Sequence, residues 1–197
     1  MNKIVLATRN RHKIHELKTF LKDFNVEVLT LVEFPNVPDL VEDGLSFKEN
    51  ALKKASAVFR LTKLPALADD SGLEVFYLNG RPGVRSARYA GDNATDEVNN
   101  EKLLAEMRGV APRRRKARFC AVLAIIGEKY EDVAEGFCLG RLVEEPRGAN
   151  GFGYDPIFLP EGFERTYAEL TFDEKNRISH RSRAFERLRE TIRRRFG

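Results

Sequence analysis

Apolar and polar positions along this chain recur with two periods, and the switches between them mark out its elements. Lys3 to Thr8 is a short apolar run and predicts a buried strand. After it, Ile14, Leu17, Leu21 and Phe24 recur at helical spacing behind Asn10, a capping residue, so a helix is predicted to about Phe24. Val26 to Leu31 alternates as a second strand, and Pro35 and Pro38 force an extended loop. Ser46 followed by Glu49 has capping-box spacing. It opens a helix to about Leu61, with Leu52, Ala55, Val58 and Phe59 as its expected core face. Leu64 to Ala68 climbs like a buried strand and stops at Asp69-Asp70-Ser71-Gly72. Leu73 to Leu78 reads as the next strand, Asn79 to Gly83 as a turn, and Asp96 to Met107 as a helix.

The second half opens with a long pair of strands, Ala117 to Gly127 and Asp132 to Val143, turning near residue 129. Both faces of the first are apolar, which places it near the centre of a sheet covered on both sides. A hairpin of that register sets Cys120 opposite Cys138; buried reduced thiols are expected rather than a disulfide. A glycine-rich loop, Gly148 to Gly153, follows, and the tail from Ser182 is amphipathic, with Phe185, Leu188 and Ile192 inward. The sum is an α/β fold with a long, mixed central β-sheet flanked by helices. No linker or repeat divides residues 1–197, so they are read as a single domain.

Composition narrows the class. Of 197 residues 42% are hydrophobic and 32% charged, as in globular proteins, and no apolar run is long enough for a membrane span or a secretory signal. A cytoplasmic setting follows as the expectation. The net charge of +4 suits an anionic ligand. The runs Arg113-Arg114-Arg115-Lys116 and Arg193-Arg194-Arg195 carry no interleaved aromatics; they read as solvated charges, and nucleic acid is not the expected partner.

Five stretches carry chemistry. Thr8-Arg9-Asn10-Arg11-His12-Lys13 leaves a strand and opens a helix, where backbone N–H groups, a hydroxyl, an amide and an ammonium make either a phosphate cradle or an ordinary cap. Asp69 and Asp70 sit either in a turn or in a site. Two adjacent carboxylates repel by roughly 4 kcal/mol at 4 Å with an effective dielectric near 20. On an extended backbone they point to opposite faces, so one alone need enter a site. A carboxylate from Glu42 or Asp43 with one from Asp69 or Asp70 suits Mg²⁺, and equally suits the start of a helix. Phe152 and Tyr154 stand between glycines in Gly151-Phe152-Gly153-Tyr154-Asp155, either to stack on a base or to plug the core. Lys175, Ser179, His180 and Arg181 cluster before the last helix, where Lys175 and Arg181 suit phosphate or a purine carbonyl.

Taken in order, these pieces resemble the inosine triphosphate pyrophosphatase family. They are Thr8-x-Asn10-x-x-Lys13, Glu42-Asp43-Gly44-x-Ser46-Phe47-x-Glu49-Asn50-Ala51, Ala68-Asp69-Asp70-Ser71-Gly72-Leu73, Pro82-Gly83-x-x-Ser86-Ala87-Arg88, Gly151-Phe152-Gly153-Tyr154-Asp155-Pro156-x-Phe158 and Ser179-His180-Arg181. They run from the first predicted strand to the last helix. The resemblance implies two lobes with the active-site cleft between them, and hydrolysis of ITP, dITP and XTP to the monophosphate and pyrophosphate, which cleanses the nucleotide pool. It also implies a requirement for Mg²⁺ and a homodimer. Carried over by position, it implies Asp70 as general base and metal contact, with Asp69 in reserve, and Glu42 as metal ligand. It implies Thr8, Arg9, Asn10, Arg11, His12 and Lys13 around the triphosphate, with Ser71 beside it. Phe152, Gly153, Tyr154 and Asp155 would hold the base, and Lys175, His180 and Arg181 would close the pocket. Two alternatives remain: a septum-inhibition-type nucleotide pyrophosphatase acting on dTTP or UTP, and a basic nucleic-acid-binding module.

Overall fold

Six strands hydrogen-bond in the order β2-β1-β3-β4-β5-β6: β1 (Asn2–Leu6), β2 (Val26–Thr30), β3 (Ala66–Val75), β4 (Lys116–Gly127), β5 (Tyr130–Leu142) and β6 (Phe158–Pro160). The computed structural model describes residues 2–197. Among the described residues five α-helices accompany the strands: α1 (Arg11–Leu21), α2 (Phe47–Thr62), α3 (Asp96–Glu106), α4 (Phe172–Ile178) and α5 (His180–Phe196). The mixed α/β fold read from the sequence is present. β1 pairs in parallel with β2, Ile4 opposite Val28, and with β3, Val5 opposite Ala66; β5 and β6 run antiparallel, Arg141 opposite Leu159. Among the described residues no helix is long and apolar enough to cross a membrane.

The chain forms two compact units. The first takes residues up to Asp70, Ala121–Gly136 and Arg181–Gly197; the second takes Ser71–Cys120 and Phe137–His180. In the first, Ile4, Leu6 and Leu67 pack with Leu17 and Leu21 of α1 and with Ala184, Phe185, Leu188 and Ile192 of α5. The inward face predicted for the tail is therefore the observed one. In the second, Leu73, Val75, Leu103, Phe119, Leu142, Tyr154, Phe158 and Tyr167 share a core.

Three expectations needed revision. The strand does not stop at Ala68: β3 runs on through Asp69, Asp70, Ser71 and Gly72 to Val75, so no Asp-Ser-Gly turn forms. Strand pairing outweighs the poor β-propensity of those residues, which is the usual context effect. On α2 the fully buried stripe is Phe47, Ala51, Ala55 and Val58 with Asn50 and Lys54, while Leu52 and Phe59 are half-buried. Last, Arg115 is not solvated. It is buried at 3% exposure and donates to three carbonyls, Met107 O at 2.8 Å, Leu142 O at 3.0 Å and Val143 O at 2.7 Å. Cys120 and Cys138 are buried thiols, as expected.

Candidate active site

Because β3 continues, its alternation sends Asp69 and Asp70 to opposite faces. Asp69 is fully buried. One carboxylate oxygen lies 2.6 Å from Lys13 Nζ and the other 2.7 Å from Arg181 Nε. Arg181, also buried, reaches on to Glu16 of α1. Burial alone would raise the Asp69 carboxyl; the Arg181 guanidinium and Lys13 ammonium overcome it and hold it well below the usual carboxylate range. Asp69 is thus a fixed anion whose two oxygens are both committed. It stakes the first turn of α1 to the sheet.

That turn is built as the sequence suggested. Asn10 caps α1, its side chain accepting from His12 N at 3.0 Å and Lys13 N at 3.1 Å. Thr8 Oγ1 accepts from Asn10 N at 3.2 Å. Arg11 and His12 are exposed on the first turn. Arg9 turns elsewhere: it donates to Val37 O at 2.8 Å and lies 3.5 Å from Asp39, fastening the loop after β2.

Asp70 faces α2. Lys54 Nζ lies 2.8 Å from Asp70 Oδ1 and 2.6 Å from Glu42 Oε1, and also donates to Asp69 O at 2.8 Å. Asn50, one helical turn before Lys54, donates to Asp70 Oδ2 at 3.2 Å and accepts from Gly44 N at 2.7 Å. Burial raises the Asp70 carboxyl and prevails over the Lys54 ammonium, with Glu42 adding its repulsion. On Lys54, burial opposes the charge, yet Asp70 and Glu42 raise its pKa on balance. Glu42 is held close by the capped start of α2: Ser46 accepts from Glu49 N at 3.1 Å. The Glu49 carboxylate reaches Leu45 N at 2.9 Å rather than the cap residue itself. Lys54 escaped the sequence reading, and Asn50 stood there only inside a motif, with no role given to it. Their signal was a polar pair one turn apart on the same stripe as Phe47, Ala51, Ala55 and Val58.

Glu42, Asp70 and the Asp69 carbonyl thus turn three oxygens toward one cation, the Lys54 ammonium. A hard divalent ion takes that donor chemistry, with waters and substrate phosphates completing its shell. Glu42 and Asp70 therefore fit Mg²⁺, although no three His, Cys, Asp or Glu side chains cluster among the described residues.

In the second unit the glycine loop is held from several sides. Asp155, 2% exposed, accepts from Phe152 N at 3.0 Å and from Lys175 Nζ at 2.5 Å. That ammonium lies 4.7 Å from the centroid of the Phe152 ring. Gly151 is obligatory: its φ is +79°, and a Cβ there would come within 2.0 Å of Asp155 Oδ2. Phe152 and Gly153 are half-buried, but Tyr154 is not a surface to stack on. It is buried, and its hydroxyl donates to Ser86 O at 2.8 Å; burial raises its pKa. Ser86 in turn accepts from Leu73 N at 2.9 Å and fills the space over Gly72. His180 is buried and stacked on Phe119, with ring centroids 4.7 Å apart and planes 11° from parallel. Phe119 stacks in turn on Tyr167. Ser71, half-buried, opens this unit next to Asp70 in sequence.

Comparison with known proteins gives one consistent picture. The family model described as the Ham1 family matches residues 4–191. The chain is similar to a dITP/XTP pyrophosphatase of Clostridium perfringens, 48% identical, with 98% of each chain covered. It is similar also to a dITP/XTP pyrophosphatase of Syntrophobacter fumaroxidans, 50% identical over 94% of this chain and 79% of that one. Among solved structures, a HAM1 protein from Coxiella burnetii superposes with a TM-score of 0.89 at 44% identity, covering 98% of both chains.

Proposed function

The chain belongs to the Ham1 family, and we propose that it hydrolyses deaminated purine nucleoside triphosphates (ITP, dITP and XTP) to the nucleoside monophosphate and pyrophosphate. One observation carries the reading: Asp70 is a buried carboxylate held by Lys54 and Asn50 beside Glu42. A carboxylate held within reach of a water can accept its proton. In the proposed step Asp70 takes the proton of a water whose oxygen bonds to the α-phosphorus. The bond from that phosphorus to the bridging oxygen breaks, and the electron pair leaves with pyrophosphate. Asp69 is assigned no proton transfer, since both its oxygens are engaged and it stays ionised.

Thr8, Asn10 and Lys13, at the N-terminal end of α1, are proposed to hold the triphosphate. Ser71 belongs to the same proposal. Arg181 acts there by keeping Asp69, and through it Lys13, in place. Phe152 is proposed to stack on the base, with Asp155, Lys175 and His180 around it. Glu42 and Asp70 would hold Mg²⁺, which would supply charge neutralisation at the phosphates. A homodimer in the cytoplasm completes the proposal; it rests on the family resemblance. The test is pyrophosphate release from ITP, dITP, XTP, GTP, ATP and dTTP, with Mg²⁺ and with EDTA. Metal-dependent release confined to the first three is expected. Release from dTTP alone refutes the purine reading.

A further inference from the structure

Helix α3 bears no residue of the proposed chemistry, yet its side chains reach the glycine loop. Asp96, at its first turn, accepts from Gly153 N at 2.6 Å. Asn100, one turn later on the same face, donates to Gly153 O at 2.9 Å. Those two atoms belong to different peptide planes, one on each side of the Gly153 Cα. Gly153 has φ +61° with nothing within 4 Å of a Cβ position, so the surrounding packing does not restrain it. Glycine is also the residue freest to rotate about both backbone bonds. Holding the N–H fixes rotation on one side and holding the C=O fixes it on the other. The pair therefore locks the hinge between Phe152 and the buried Tyr154.

The helix that carries the clasp is itself fixed. Asn99, 2% exposed, accepts from Ala90 N at 2.8 Å and donates to Ala87 O at 3.2 Å. Arg115 holds Met107 O just beyond its last turn. The clasp is thus anchored at both ends of the helix. The Oδ1 of Asn100 is buried with no hydrogen-bond partner, so this side chain is retained at a cost in stability.

We propose that Asp96 and Asn100 are positioning residues for base recognition: by clasping Gly153 they set the Phe152 ring against the Lys175 ammonium. The inference rests on the pyrophosphatase reading above. With the clasp open, Phe152 keeps its chemistry but loses its place, so binding and base discrimination suffer while the phosphate chemistry does not.

The test is steady-state pyrophosphate release from ITP, GTP and ATP by the intact protein and by Asp96→Ala, Asp96→Asn and Asn100→Leu, each with a thermal melt. Asn100→Leu removes the donor together with the orphaned acceptor, so it is expected to fold with an unchanged melt. Asp96→Asn keeps an acceptor oxygen and is expected to stay near wild type. Asp96→Ala and Asn100→Leu are expected to raise KM for ITP about tenfold, the scale of one lost hydrogen bond. They should leave kcat within about twofold and narrow the kcat/KM ratio of ITP over ATP. Unchanged KM in both, or a fall in kcat at constant KM, overturns the proposal. So does failure of Asp96→Asn to behave better than Asp96→Ala. If the wild-type protein releases no pyrophosphate from any substrate, it is the functional reading that fails.

Discussion

Replacing Asp69 by Asn removes one charge from the buried ion network that joins Lys13, Asp69, Arg181 and Glu16 in the first unit. The Arg181 and Lys13 contacts, at 2.7 and 2.6 Å, each contribute about 6 kcal/mol of gross attraction at an effective dielectric near 20. Most of that only offsets the desolvation of the three groups. The net cost of removing one partner of a buried pair is about 3–5 kcal/mol, because its counter-charge is left uncompensated. Here Arg181 keeps Glu16, so the lower half of that range is expected. In a domain of this size 3 kcal/mol lowers Tm by roughly 10 °C. The assay is urea unfolding and thermal melting of wild type and Asp69→Asn from pH 3 to pH 8. The sign is fixed by the shift. The folded-state pKa of Asp69 lies below its usual value of 3.8, so its stabilisation is complete above that pH and is lost as pH falls below it. The gap between wild type and variant should be widest near neutrality and should close progressively below about pH 4. A gap under about 1 kcal/mol at pH 7, the worth of a surface pair, would refute the account of Asp69 as a structural anion. So would a gap that widens in acid.

Asp70→Asn should fold and lose about 10²–10⁴-fold in kcat, the typical contribution of a general base, and wild-type turnover would remove that role. Phe152→Ala should raise KM for ITP more than it lowers kcat, since stacking contributes mainly to binding shared by ground and transition states; a kcat collapse at unchanged KM speaks against it. Gly151→Ala drives a Cβ onto Asp155 and should lower both Tm and affinity, whereas Gly153→Ala meets no neighbour and carries only its backbone strain. Equal melts and affinities for the two would show that the Asp155 contact does not matter. Chelation should abolish turnover, and Glu42→Gln should shift the Mg²⁺ concentration that restores it; an unshifted titration would clear Glu42 of a metal role.

Much of this site was legible because its determinants are local. The Asn10 cap, the Ser46 cap and the two directions of Asp69 and Asp70 follow from neighbours in sequence and from element periodicity. What was hidden is non-local. Asp70 meets Lys54 and Asn50 only because β3 lies beneath α2, and a polar pair on an apolar helical stripe gives no sign of its partner. The glycine clasp joins residues more than fifty positions apart. Arg115 sat in a basic run that looked solvated, and only the fold supplies the three carbonyls that hold it. Tyr154 was read with Phe152 as a possible stacking surface; its hydroxyl contact with Ser86 removes it to the core. The continuation of β3 through Gly72 was missed because Asp, Ser and Gly read locally as a terminator.

The unbroken course of β3 sets a rule of parity. Anchor and proton acceptor are consecutive residues with opposite outlooks, so neither is defined by its identity, only by whether its position is odd or even. Inserting or deleting a single residue between Ala66 and Asp69 would exchange their surroundings, giving the fixed anion the α2 amines and the acceptor two oxygens' worth of fixed cations. A two-residue change would restore the outlook and displace both by one pleat. Odd steps in this strand thus swap the two outlooks and even steps carry both carboxylates about 6.6 Å from their partners, a constraint that falls on the reading frame of the sheet rather than on any one side chain.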